Sequence, residues 1–65
     1  MNIRVNGAAC EVTAETLESL LAELDYGDQT VATALNQNFV RKKERATTKL
    51  TEGDEVEILT PRQGG

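Results

Sequence analysis

Polar and apolar residues alternate over Asn2-Ile3-Arg4-Val5-Asn6, which puts Ile3 and Val5 on one face, as in a half-buried strand. Asn6-Gly7 follows at once. Both residue types accept positive φ, as a type I′ turn requires at its two central positions, so the pair predicts a hairpin. A second strand is expected over about residues 9–12, with Cys10 and Val12 facing in. After Thr13 the period changes. Leu17, Leu20, Leu21 and Leu24 fall at i, i+3, i+4 and i+7, one stripe of a helix expected over about residues 15–24. Thr13 is its expected N-cap, Glu15 suits its first turn, and Gly27 is its expected end signal. Val31-Ala32-Thr33-Ala34-Leu35 alternates and predicts a third strand. Asn36-Gln37-Asn38 reads as a turn, with a short Phe39-Val40 strand after it. Residues 41–49 show no period and read as an irregular excursion with one short strand near Ala46. Leu50 then returns to the core. Glu52-Gly53-Asp54 is a turn, and Val56–Thr60 is a final strand with Val56 and Ile58 facing in. Pro61 ends it, because proline has no N–H for a ladder.

This order predicts an α+β fold of ββαββ type, with a short additional strand before the last. A right-handed crossover brings the last strand parallel to the first, in the middle of a mixed sheet. One sheet face packs on the leucine stripe and the other stays open. Residues 1–60 are expected to form one domain and residues 61–65 a flexible tail.

Composition narrows the function. Leu, Ile, Val and Phe make up fifteen of the 65 residues. That fraction lies just above the roughly 20% below which charged chains stay disordered, so the core is thin. So small a chain cannot easily wall off a ligand cavity of about 300–1,000 Å³, and a part in another protein's chemistry is expected rather than an enzyme's. There is no His, which removes the commonest general base and metal ligand. No metal site and no catalytic residue are expected. Cys10 is the single cysteine, so no internal disulfide forms, and a reducing, cytoplasmic compartment is expected. No stretch resembles a signal peptide or a membrane span.

The formal net charge is −4. Residues 11–28 carry six acids and no base, and residues 41–49 carry five bases (Arg41, Lys42, Lys43, Arg45, Lys49) and one acid. The acidic balance, and a basic run without aromatics, point away from nucleic acid. Both the run 41–49 and the helix carboxylates Glu15, Glu18 and Glu23 read as solvated. Cys10 reads as a small hydrophobe, with no positive charge nearby to activate it. A small acidic domain of this kind is expected to be a monomer when free.

Two features suggest a role. By alternation, Ala32, Ala34 and Leu59 face away from the helix, with Arg4 at their edge, and an exposed apolar patch of this kind marks an interaction surface. The chain then closes with Pro61-Arg62-Gln63-Gly64-Gly65. Glycines lack Cβ, so such a tail can thread a channel that side chains would block, and its carboxylate can be attacked unhindered.

With these features the chain resembles the ThiS-type sulfur carriers of thiamine biosynthesis, small ubiquitin-like β-grasp proteins. The resemblance rests on Ile3-Arg4-Val5-Asn6-Gly7, Thr16-Leu17-Glu18-Ser19-Leu20-Leu21, Ala34-Leu35-Asn36 with Val40, Glu52-Gly53-Asp54-Glu55-Val56-Glu57-Ile58, and Gly64-Gly65. It departs from the family at Val40-Arg41-Lys42, where Val-Pro-Arg is frequent, and at Thr60-Pro61-Arg62-Gln63, where many relatives are apolar. The resemblance implies that a ThiF-type enzyme adenylates the Gly65 carboxylate, using ATP and magnesium held by that partner. It implies a persulfide sulfur donor, a thiocarboxylate on Gly65, and delivery to a ThiG-type thiazole synthase. Residues 61–64 would enter the partner's active site, and Arg4, Ala32, Ala34 and Leu59 would meet its surface. A MoaD-like carrier for molybdopterin synthesis, a ubiquitin-like interaction module and a tail-conjugated modifier are the alternatives.

Overall fold

The computed structural model describes residues 1–27 and 29–61. Five strands form one mixed sheet: β1 (Asn2–Val5), β2 (Ala8–Glu11), β3 (Ala32–Leu35), β4 (Asn38–Val40) and β5 (Glu55–Leu59). Their spatial order is β2-β1-β5-β3-β4, with β1 and β5 parallel and the other pairs antiparallel. The last strand therefore sits in the middle beside the first, as the crossover rule predicts.

Helix α1 (Leu17–Glu23) covers one face. Leu17, Leu20 and Leu21 are buried against Ile3, Val12, Val40, Val56 and Ile58, with Ala14, Val31 and Leu50 completing the core. Cys10 stands opposite Ile3 and is half-buried at the margin of this cluster.

The helix is shorter than the leucine period suggests, because its ends are set by other residues. Its N-cap is Thr16, not Thr13. The Thr16 hydroxyl accepts from the Ser19 N–H at 3.1 Å, and Ser19 Oγ accepts from the Thr16 N–H, a reciprocal capping box. Thr13 lies outside the helix. Its N–H and that of Ala14 donate to the Glu23 carboxylate, at 3.1 Å and 2.9 Å in the shorter contacts. Glu23 is thus a cap for the incoming loop and not an idle solvated acid. At the other end Asp25 takes φ +68°, its N–H donates to the Ala22 carbonyl, and the Tyr26 N–H donates to Leu21. These two bonds form a Schellman termination with aspartate in the position glycine usually fills, so Gly27 is not the stop signal.

Two hairpins lock onto the central strand. Asn6 and Gly7 have φ +52° and +86°, and Asn36 and Gln37 have +49° and +73°, so both turns show the paired positive φ of type I′. The Asn6 side chain continues the ladder where β1 turns away: its Oδ1 accepts from the Ile58 N–H at 2.8 Å, and its Nδ2 donates to the Ile58 carbonyl at 3.2 Å. Asn36 mirrors it on the other flank. Its Oδ1 accepts from the Glu55 N–H at 3.0 Å, and its Nδ2 donates to Asp54. Burial pulls the Asp54 carboxyl upward, but bonds from the Thr51 N–H, the Asn36 amide and the Thr51 hydroxyl outweigh it and hold the group below its ordinary value.

The basic excursion is more ordered than its sequence suggests. Residues Lys42–Thr47 form a 3₁₀ turn, and Ala46 lies inside it. The extended contact expected near Ala46 falls at Lys49, which bridges Thr16. Arg45 is buried, not solvated. Its Nε donates to Thr33 Oγ1 at 3.1 Å and its Nη2 to the Val31 carbonyl at 2.7 Å, while the Thr33 hydroxyl donates to the Val40 carbonyl at 2.8 Å. A polar residue at an inward strand position needs partners, and Arg45 and Val40 supply them for Thr33.

Candidate functional site

The chain leaves the domain from the end of β5. Leu59 and Ala32 form the last register pair between β5 and β3, and Pro61 follows two residues later, exposed. A groove of about 370 Å³ opens at this root, lined by Thr30, Val31, Ala32, Leu59, Thr60 and Pro61. Arg62, Gln63, Gly64 and Gly65, the remaining tail residues singled out in the sequence, lie outside the described residues.

The open sheet face supplies the neighbouring surface. Strand alternation puts Val56 and Ile58 under the helix and turns Glu55, Glu57 and Leu59 outward. Leu59 is 70% exposed. Ala32 lies beside it, and Ala34 stands in the next row between Glu57 and Phe39. Three of the four residues proposed from alternation are therefore adjacent. Arg4 is not among them. Its register partners are Ala9 and Glu55, and its guanidinium donates to the Gly7 carbonyl at 2.7 Å, which holds it at the hairpin.

Phe39 belongs to this surface and was missed. It is the chain's one phenylalanine, is 71% exposed, and faces the same side as Ala34. Its face is set by the hairpin register, which stands it opposite Ala34. Phe39 and Leu59 thus flank Ala32 and Ala34, giving an apolar surface bordered by Glu57. Among the described residues no group of three or more His, Cys, Asp or Glu side chains could hold a metal ion. No helix among them is long and apolar enough to cross a membrane.

The described residues present an exposed apolar surface beside the root of the segment that begins at Pro61. The family model described as the ThiS family matches residues 3–65. Comparison with curated proteins finds no match. The crystal structure of the thiamine biosynthesis protein ThiS from Geobacter metallireducens is similar, with 32% identity, full coverage of both chains and a TM-score of 0.83. The solution structure of a thiamine biosynthesis protein from the same organism is similar at 29% identity, covering all of this chain and 88% of that one, with a TM-score of 0.82. The mixed five-stranded sheet on one helix is the ubiquitin-like β-grasp fold.

Proposed function

The chain belongs to the ThiS family, and from that premise we propose that it carries sulfur in thiamine biosynthesis on the carboxylate of Gly65. The observation that supports this most is the reach of the family match, which runs through Gly64-Gly65. In this reading a ThiF-type partner holds ATP and magnesium and joins the Gly65 carboxylate to AMP, releasing pyrophosphate. A persulfide sulfur attacks the acyl carbon and AMP leaves. Cleavage of the S–S bond by a thiol then leaves a thiocarboxylate, which a ThiG-type thiazole synthase consumes. The chain itself contributes no catalytic group and works in the cytoplasm, as a monomer between encounters.

Its own contribution is presentation. β5 is held on both flanks, by Asn6 at Ile58 and by Asn36 at Glu55, so the root of the tail has a fixed position. Leu59, Ala32, Ala34 and Phe39 dock on the partner, with Arg4 at the far margin, while Pro61, Arg62, Gln63 and Gly64 span the distance to the active site. Glycine at the last two positions keeps the reacting carbonyl unshielded.

The test is intact mass after incubation with a ThiF-type enzyme, ATP and a persulfide donor. Replacement of one oxygen by sulfur on this chain is the expected result, and deletion of Gly65 abolishes it without unfolding the domain. Conjugation to other proteins would instead establish a modifier, and loading in the Gly65-deleted chain would overturn the reading.

A further inference from the structure

The strand that leads to Pro61 is held unequally on its two flanks. On the β3 side the register runs to the last residue of β5, Ala32 against Leu59. On the β1 side it stops at Val5 against Val56, because the chain turns away at Asn6 with φ +52°. The Asn6 N–H still donates to the Val56 carbonyl at 2.9 Å. Beyond that point the Asn6 side chain stands in for the missing strand. Its Oδ1 accepts from the Ile58 N–H at 2.8 Å, and its Nδ2 donates to the Ile58 carbonyl at 3.2 Å. A primary amide carries the donor and the acceptor that a peptide group would, so one side chain closes both bonds. Among the described residues these are the last hydrogen bonds on the β1 flank before Pro61, which follows Ile58 by three positions. Asn36 makes a clamp of the same kind at the opposite end of β5. Its N–H donates to the Glu55 carbonyl and its Oδ1 accepts from the Glu55 N–H, six positions before Pro61.

We propose that Asn6 is a positioning residue for the reaction at Gly65, and that Asn36, its counterpart in the fold, is not. Asn6 acts through Ile58, by fixing where Leu59, Thr60 and Pro61 leave the sheet. Without its amide, β5 beyond Val56 is held on the β3 flank alone, and the root of the tail gains freedom to splay from β1. Ala32, Ala34 and Phe39 sit on β3 and β4 and keep their places, so the docking row still meets the partner. The carboxylate, carried on a short peptide from that root, then reaches its reacting geometry less often, and small misplacements of this kind slow a reaction without weakening binding. The inference rests on the carrier reading. It adds that the N-terminal hairpin, far from the tail in sequence, decides how well the tail is presented.

Asn6→Gly and Asn36→Gly form a matched pair for the test. Both positions are exposed and have positive φ, which glycine accepts, so each variant keeps its turn and loses the side-chain clamp. Adenylation of the full chain by a ThiF-type enzyme in excess is followed by pyrophosphate release in single turnovers, which gives a maximal rate and a half-saturating enzyme concentration. Amide hydrogen exchange at Ile58 and Glu55 is read on the same chains. Asn6→Gly is expected to exchange faster at Ile58 and to lower the maximal rate about tenfold, with half-saturation within about twofold of wild type. Asn36→Gly is expected to exchange faster at Glu55 and to react at close to the wild-type rate. Equal rate losses in the two variants would reduce Asn6 to a structural role and overturn the proposal. So would a loss in Asn6→Gly confined to half-saturation, or a wild-type rate in it despite faster exchange at Ile58. Should Asn6→Gly fail to fold, Asn6→Asp takes its place, since it keeps the acceptor for the Ile58 N–H and loses the donor; a smaller loss of maximal rate is expected there, and a wild-type rate overturns the proposal. A wild-type chain that is not adenylated overturns the carrier reading and this inference together, whereas normal adenylation of both wild type and Asn6→Gly overturns this inference alone.

Discussion

The two faces of the sheet are built from the same strands, one residue out of step, and they have opposite fates. On one face Val56 and Ile58 are almost wholly buried beneath Leu17 and Leu20. On the other, Leu59 and Phe39 are among the most exposed apolar side chains of the molecule. The covered face owes its order to volume and to closed hydrogen-bond accounts, as at Thr33. The open face leaves its apolar side chains exposed, so they contribute little to folding. A slip of one residue would exchange the two sets, and the Asn6 and Asn36 clamps on β5 hold the register against it.

The comparison is broken most severely from the covered side. Leu20→Ala removes a fully buried side chain at the centre of the helix–sheet contact. The expected loss is about 2–5 kcal/mol of unfolding free energy, read by urea denaturation. For a domain of this size the thin core makes that a large share of the total. A loss as small as that at an exposed position would mean that the helix does not carry the fold.

Thr33→Val comes next and tests the polar part of the same face. It leaves the Arg45 Nε–H and the Val40 carbonyl without their partner and is expected to cost about 1–3 kcal/mol. The double variant Thr33→Val with Arg45→Met removes both members of the pair. It should recover part of that loss, because replacing both partners by apolar groups costs less than orphaning one. Strict additivity of the two single losses would show that Thr33 and Arg45 do not act as a unit.

How much of this was legible depended on the range of the forces involved. The leucine stripe, the Asn6-Gly7 hairpin and the inward pair Val56 and Ile58 are local patterns, and each was readable. The helix start was not, because Thr13 and Thr16 are both competent caps. The choice between them is made by Glu23, ten residues beyond Thr13, which takes the loop's N–H groups. Arg45 was unreadable for the same reason. Its burial follows from the 3₁₀ turn meeting β3, where its partner Thr33 Oγ1 lies twelve residues back in the chain. At the site, Ala32, Ala34 and Leu59 followed from period two. Phe39 did not, because a three-residue strand has too little alternation to set its face without the hairpin register. Arg4 was placed by alternation alone and proves to be held by Gly7.

The smallest effect on stability is expected where the proposed effect on binding is largest. Leu59 is mostly exposed, so Leu59→Asp loses little buried area. Aspartate is a poor strand former and would stand two residues from Glu57 on the same face, so a cost below about 1 kcal/mol is expected. Affinity for a ThiF-type partner should fall sharply, because a charge would enter the middle of an apolar contact and lose its water. Denaturation and binding measured on the same preparation separate the two. Near-wild-type stability with lost affinity makes the open face a docking surface. Retained affinity would move the contact elsewhere, and a chain that unfolds would mean that the outward face bears structural weight after all. Phe39→Ser, at the other end of the patch, sharpens the outcome. If both variants bind poorly and fold well, the whole outward row from β4 to β5 belongs to the partner. If only Leu59→Asp fails, the contact is confined to the root of the tail.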